Sequence, residues 1–201
     1  MTAKLLGELL RGERDAIRAE ANGRFLPLDE DTADTERLGV LAGSFNPLHD
    51  GHRNLRDAAE RFDALSVQFE LSVSNVDKPP LAEDAVRRRV SQFTEAILLT
   101  NAPTFLAKAR LLPHVTFVVG FDTAERILEP RYYDGSRGLT RGLDEIRDLG
   151  CRFLVAGRTM DGTFRKLNTL VVPDTHSDLF VSLPESEFRQ DISSTELRSQ
   201  D

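Results

Sequence analysis

Residues 38–62 read LGVLAGSFNPLHDGHRNLRDAAERF, and the fold follows from how that stretch divides. Leu38–Ala42 is an apolar run that stops at Gly43, as a buried strand does, while Leu55, Ala58, Ala59 and Phe62 recur at helical spacing. Strand, turn and helix therefore follow one another. Between them lies GSFNPLHDGH, residues 43–52, a glycine-bearing turn with His49 and His52 three positions apart at the mouth of the predicted helix. Two imidazoles and a row of unpaired backbone N–H groups at one helix start suit a polyphosphate. Gly43, Ser44, Phe45 and Gly51 belong to the same candidate cradle.

Downstream the alternation continues. LSVQFEL (65–71) reads as a strand, and the polar stretch 72–80 must be a loop because of Pro79 and Pro80. Residues 84–99 set Val86, Val90, Phe93 and Ile97 on one helical face. Strands are predicted at 115–119, 152–156 and 179–183, with a short helix at 122–128. Strands alternating with helices at these lengths imply βαβ units. The expected fold is α/β: a Rossmann-like, doubly wound parallel sheet of five or six strands in a single domain over 38–201. Ahead of it, residues 1–21 could form a helix and 22–37 read as a polar loop or linker, so 1–37 is expected to be an N-terminal helix and linker.

In such sheets ligands bind beyond the carboxyl ends of the strands, where strand order reverses. Gly43, the 72–78 loop, Gly120 and Gly157 all follow strands directly, so the candidate site assembles from loops on one edge. Lys78, in NVDKPP, leaves the strand beside the histidine turn and is a candidate phosphate ligand. In GFDT, Gly120 would let a ligand approach the backbone and Asp122 would either cap a helix or reach ribose hydroxyls. Arg158 in VAGR and Arg89 in the run 87–89 are further cationic candidates. Phe121, Tyr132 and Tyr133 are the aromatics best placed to stack on an acceptor ring. A second helix start is expected at ISSTELR, 192–198, where Ser193 and Glu196 fit a capping box and Ser193, Ser194, Thr195 and Arg198 present hydroxyls and a guanidinium to phosphate.

Composition trims the alternatives. At 201 residues with 40% hydrophobic content, the chain can bury a proper core. A net charge of −7 argues against a nucleic-acid footprint, while leaving room for a small nucleotide held at a local positive site. One cysteine, Cys151, excludes an internal disulfide and fits a cytoplasmic location, with Cys151 a small apolar residue beside a strand. No apolar run approaches the length of about 18 residues expected of a membrane span. There is no GxxxxGK[ST] loop, GxGxxG fingerprint or GxSxG elbow, and no spacing that supplies the three or four ligands of a zinc site, so no protein metal site is expected.

Three blocks carry a resemblance: GSFNPLHDGH, VVGFDTAERIL (118–128) and DISSTELR (191–198). Together they resemble the HxGH nucleotidyltransferase superfamily, whose members are cytidylyltransferase-like, and within it the nicotinamide or nicotinate mononucleotide adenylyltransferases. Bacterial members of that group usually read GSFNPPHxGH, with proline where this chain has Leu48. The resemblance implies adenylyl transfer from ATP to a pyridine mononucleotide, giving NAD or its deamido form and pyrophosphate, by direct attack of the acceptor on the α-phosphorus. Carried over, His52 would stabilise charge growing on the α-phosphate and His49 would hold the phosphate chain. Residues 193–195 and Arg198 would take the β- and γ-phosphates, Lys78 a phosphate, and Asp122 and Arg158 the nucleoside. Mg²⁺ would arrive on the triphosphate.

Other acceptors stay open, among them phosphopantetheine or an alcohol phosphate used with CTP. So do a non-catalytic nucleotide-binding module and assembly into a homo-oligomer.

Overall fold

The computed structural model describes residues 2–28, 37–160 and 162–189. Its backbone is an eight-stranded sheet with helices on both faces. In chain order the strands are β1 (Ala16–Ala19), β2 (Phe25–Pro27), β3 (Leu38–Ala42), β4 (Ser66–Ser72), β5 (Ile97–Thr100), β6 (Thr116–Gly120), β7 (Arg152–Ala156), β8 (Arg158–Met160), β9 (Thr163–Arg165) and β10 (Phe180–Leu183). The helices are α1 (Thr2–Leu10), α2 (Asp50–Asp63), α3 (Glu83–Val90), α4 (Phe105–Leu111), α5 (Phe121–Ile127) and α6 (Ser136–Asp148). The sheet runs β10-β7-β6-β3-β4-β5-β1-β2, and β8 and β9 form a separate hairpin.

From β10 to β5 every pairing is parallel. These strands are apolar on both faces, which is what burial between two helix layers requires. Alternation by two then sorts side chains between the layers. Leu41 and Val118 pack with Leu55, Ala58 and Val86 from α2 and α3, and Leu6 and Leu9 from α1 join that side. Val40, Phe117, Val119 and Phe153 pack with Ala124, Leu143 and Ile146 from α5 and α6 on the other. Cys151 is buried at the start of β7, where burial pushes its thiol pKa up. Among the described residues, no helix is long and apolar enough to cross a membrane.

The α/β class and the doubly wound parallel core are as expected, but among the described residues the sheet has eight strands rather than five or six. Two of the strands beyond those named from the sequence, β1 and β2, come from the N-terminal segment, and the third is β5. Helix α1 stops at Leu10, well short of residue 21, because Gly12 follows at φ 72°, the left-handed conformation that ends helices. The chain then turns back as β1, antiparallel to β5, and β2 pairs antiparallel with β1 inside the stretch expected to be loop. The predicted helix 84–99 is also two elements. Helix α3 ends at Val90, with the Ser91 N–H donating to the carbonyls of Arg87 and Arg89, and Ile97 opens β5. Val86, Val90, Phe93 and Ile97 all bury in one core layer, so helical spacing persists across a break in the helix.

Because Leu9 is fully buried in that layer, the N-terminal helix should unfold together with the sheet. Leu9→Ala is expected to cost about 2–5 kcal/mol, the range for emptying a buried leucine site. Urea unfolding followed by circular dichroism checks it: a wild-type midpoint would mean that α1 lies outside the cooperative unit.

Candidate functional site

Strand β3 lies at the point where strand order reverses: the chain leaves it first toward β4 and β5, and later returns beside it as β6. Loops leaving β3 and β6 therefore diverge and open a crevice. The first of these is the turn 43–48. Gly43 continues the sheet, its N–H donating to the carbonyl of Glu70 at 3.0 Å. A Cβ there would stand 2.7 Å from the ring of Phe45, so the close approach needs glycine. Phe45 has φ 45° and a fully buried ring, packed edge-on at 5.4 Å from Phe69, 5.1 Å from Phe93 and 5.0 Å from His52.

Gln92 clamps the same turn. Its Nε2 donates to the Phe45 carbonyl at 2.9 Å and its Oε1 accepts from the Leu48 N–H at 2.9 Å. A proline at 48 would lack that donor, so Leu48 makes the clamp two-sided.

The turn delivers His49 to the N-cap of α2. His49 Nδ1 accepts from the Gly51 N–H at 3.1 Å, and His52 Nδ1 accepts from the His49 N–H at 3.3 Å, a capping box built from two imidazoles with ring centroids 3.9 Å apart. With Nδ1 an acceptor in both, each neutral ring carries its proton on Nε2. Burial lowers both pKa values. In His52 it does so to about 4, with the neighbouring His49 and Arg53 adding to the effect; in His49 the charge of Asp50 opposes it. At neutral pH the pair is thus two uncharged N–H donors at a helix start.

Beside the turn lies a cavity of about 490 Å³. Its inner lining includes Glu70 and Lys108, 0% and 5% exposed, and its outer lining includes Lys78, Arg89 and Arg126. Arg89 donates to the Ser44 carbonyl at 2.9 Å, and burial lowers its pKa. Tyr132 and Tyr133 line one wall, and burial pushes the Tyr133 phenol up to about 12, keeping it protonated. Asp77, in the loop that carries Lys78, pairs with Arg126 and accepts from the Tyr132 hydroxyl at 2.8 Å, joining that loop to the far wall.

Residues 40–200 match the model of the family described as cytidylyltransferase-like. The chain belongs to that family. It is also 29% identical over 177 residues to a protein of Gloeobacter violaceus described as a probable nicotinate-nucleotide adenylyltransferase, an alignment covering 82% of this chain and 84% of that one. These relationships make it a nucleotidyltransferase.

The structure divides this family member's candidate residues into two groups. Gly43, Ser44 and Lys78 line the cavity, whereas His49, His52, Gly120, Asp122 and Arg158 lie outside its lining. In the second group Arg158 pairs with Asp122 Oδ2, and Asp122 Oδ1 is buried without a partner among the described residues. A Cβ on Gly120, the N-cap of α5, would meet nothing within 4 Å, so the space before that helix is open. Gly51 is buried in the first turn of α2, where its N–H serves the cap. The Phe45 ring lies in the core and Phe121 is 1% exposed, and neither lines the cavity; of the three aromatics expected to stack on an acceptor, Tyr132 and Tyr133 line it, as does Phe105. Ser193, Ser194, Thr195 and Arg198 lie outside the described residues. Sequence reasoning missed Glu70, Lys108, Gln92 and Arg126, whose roles depend on partners roughly 40–50 positions away along the chain.

The depressed His52 pKa has a measurable consequence. An unfolded histidine, near 6.5, takes up a proton before folded His52, near 4, so this group's contribution to stability is intact above pH 6.5 and declines as pH falls toward 4. In the ligand-free protein, an NMR titration should give His52 a midpoint near 4, well below the 6.5 of an unfolded histidine. A His52 midpoint at or above 6.5 would contradict the buried, neutral assignment.

Proposed function

We propose that this nucleotidyltransferase moves an adenylyl group from ATP to the phosphate of a pyridine mononucleotide, nicotinamide or nicotinate, giving a dinucleotide and pyrophosphate. The observation that carries the reading is the imidazole capping box: two neutral Nε2–H donors fixed at a helix start, one turn from a cavity with a cationic mouth. The described name of the Gloeobacter violaceus relative supports adenylyl over cytidylyl transfer and a pyridine acceptor.

In this reading the triphosphate lies across the start of α2 and the acceptor occupies the cavity, its phosphate drawn by Lys78 and Arg89. An acceptor phosphate oxygen attacks the α-phosphorus, a new P–O bond forms, and the bond to the β-phosphate breaks with pyrophosphate leaving. The attacking group is already anionic, so no general base is needed. The protein's task is positioning and stabilising charge. His52 would donate to the α-phosphate oxygen on which charge grows, and His49 would hold the chain beyond it. Asp122 and Arg158 would take the nucleoside, and Ser193, Ser194, Thr195 and Arg198 the β- and γ-phosphates. Among the described residues no group of three or more His, Cys, Asp or Glu side chains could hold a metal ion. Mg²⁺ would arrive on the triphosphate, where it would neutralise phosphate charge.

A pyrophosphate-release assay tests this, pairing ATP or CTP with nicotinamide mononucleotide, nicotinate mononucleotide or phosphopantetheine. Turnover is expected with ATP and a pyridine mononucleotide, and His52→Ala should lower kcat by about 10²- to 10³-fold, the usual loss for one donor aimed at developing charge. Turnover confined to CTP would overturn the adenylyl assignment, and turnover confined to phosphopantetheine the acceptor assignment. A His52→Ala enzyme with wild-type kcat would remove the histidine from the chemistry.

A further inference from the structure

The inner end of the cavity holds a buried ion pair that the reaction above does not use. Lys108 Nζ, on α4, donates to Glu70 Oε1 at 2.8 Å and to the Ala102 carbonyl at 2.8 Å, and the Thr100 hydroxyl donates to the same Glu70 oxygen at 2.5 Å. Glu70 is 0% exposed and Lys108 5%. Removing both charges from water is expensive, and such a pair is often replaceable by apolar residues without loss, so stability alone is a poor reason for it.

What the pair leaves unused is informative. Glu70 Oε2 is buried with no hydrogen-bond partner among the described residues. An ammonium has three N–H donors, and the third on Lys108 likewise has none among them. The cavity thus ends in one spare acceptor and one spare donor, on groups 2.8 Å apart. A primary carboxamide offers the complement, an N–H₂ beside a C=O. A carboxylate offers acceptors only, and would bring a second negative charge against Glu70 with no donor for Oε2.

We propose that Glu70 and Lys108 form the head-group pocket of the acceptor site and select a carboxamide-bearing acceptor over its carboxylate counterpart. The inference rests on the pyridine-mononucleotide reading and narrows it to the nicotinamide form. Glu70 Oε2 accepts from the amide N–H₂ and Lys108 donates to the amide carbonyl, while Lys78 and Arg89 face the phosphate at the other end of the molecule. The preference is opposite to the nicotinate named for the Gloeobacter violaceus relative.

The test is calorimetric titration of the full chain with nicotinamide mononucleotide and with nicotinate mononucleotide, alongside the pyrophosphate assay with each. Wild type should favour the amide by about 10- to 100-fold in Kd and in kcat/KM, the worth of one hydrogen bond to a charged group. Glu70→Gln should move that ratio toward parity or beyond, because its N–H₂ can turn to a carboxylate; thermal melting checks that the variant is folded. If it is not, the wild-type ratio decides alone. Equal or tighter binding of nicotinate mononucleotide by wild type, or a folded Glu70→Gln enzyme with the wild-type ratio, overturns the inference and leaves the proposed reaction standing. Neither mononucleotide binding nor reacting overturns both.

Discussion

The burial of one ring, that of Phe45, fixes the geometry from which the rest of the site follows. After β3 the chain has to leave the sheet, reverse and enter α2 within a few residues, and nothing in that turn is regular enough to hold itself. Phe45 does so by inserting into the same core layer that packs α2 and α3 on the sheet, between Phe69 and Phe93 and against His52. Its backbone sits at φ 45°, a conformation that costs a non-glycine residue on the order of 1–3 kcal/mol and persists only where surroundings enforce it. Here the enforcement is visible, as ring burial on one side and the Gln92 amide across the carbonyl of Phe45 and the N–H of Leu48 on the other. Core packing and placement of the imidazoles are thus one interaction seen from two ends.

Sheet order then turns this local geometry into two compartments. With β4 on one side of β3 and β6 on the other, loops leaving three neighbouring strands spread apart at their carboxyl ends. The β4 loop, tied by Asp77 to Arg126 and Tyr132, forms one boundary of the cavity. The end of β6 and the first turn of α5 carry Gly120 and Asp122 on the opposite side, where Arg158, at the start of β8, pairs with Asp122. Strands β1 and β2 have a different task. Without them β5, buried at all four positions, would be an open edge of unpaired N–H and C=O groups, so the antiparallel pair closes the sheet.

How much of this was legible in the sequence varied with the range of the interaction. The turn 43–52 and the parallel strands around it could be read because strand, glycine and helix signals are local and contiguous. The stretch 84–99 misled because apolar spacing reports which layer a residue enters, not whether the backbone remains helical on the way; Val90 and Ile97 reach one core from two different elements. Residues 16–19 carry no strong strand signal of their own and become a strand by pairing with β5, a partner some 80 residues away. Glu70 was the least visible. In FEL it occupies the alternate position of a strand, where a carboxylate normally faces water, and only α4 folding across that face with Lys108 turns it into a buried group. The hydroxyl-rich stretch 192–198 was legible as a motif but lies outside the described residues, so its convergence with His49 and His52 belongs to the proposed mechanism.

The placement of charge favours a division of labour within that mechanism. The chain carries a net charge of −7, yet Lys78, Arg89 and Arg126 gather at the mouth of the cavity, giving anionic ligands a local positive target on an acidic protein. Full charges at the reacting phosphorus would bind substrate and departing pyrophosphate about equally well, and uniform binding of that kind does not speed the chemical step. Neutral imidazoles differ. Burial keeps His49 and His52 uncharged in the free protein, and their rings are held by Nδ1 contacts to backbone N–H groups, so under the proposed mechanism the Nε2–H groups would need no reorganisation as negative charge builds on the α-phosphate. In the proposed mechanism their hydrogen bonds would strengthen as that charge develops, which would be the differential that accelerates transfer. The burial that lowers the histidine pKa values is in this view part of the chemistry, and it comes from the same packing around Phe45 that shapes the turn.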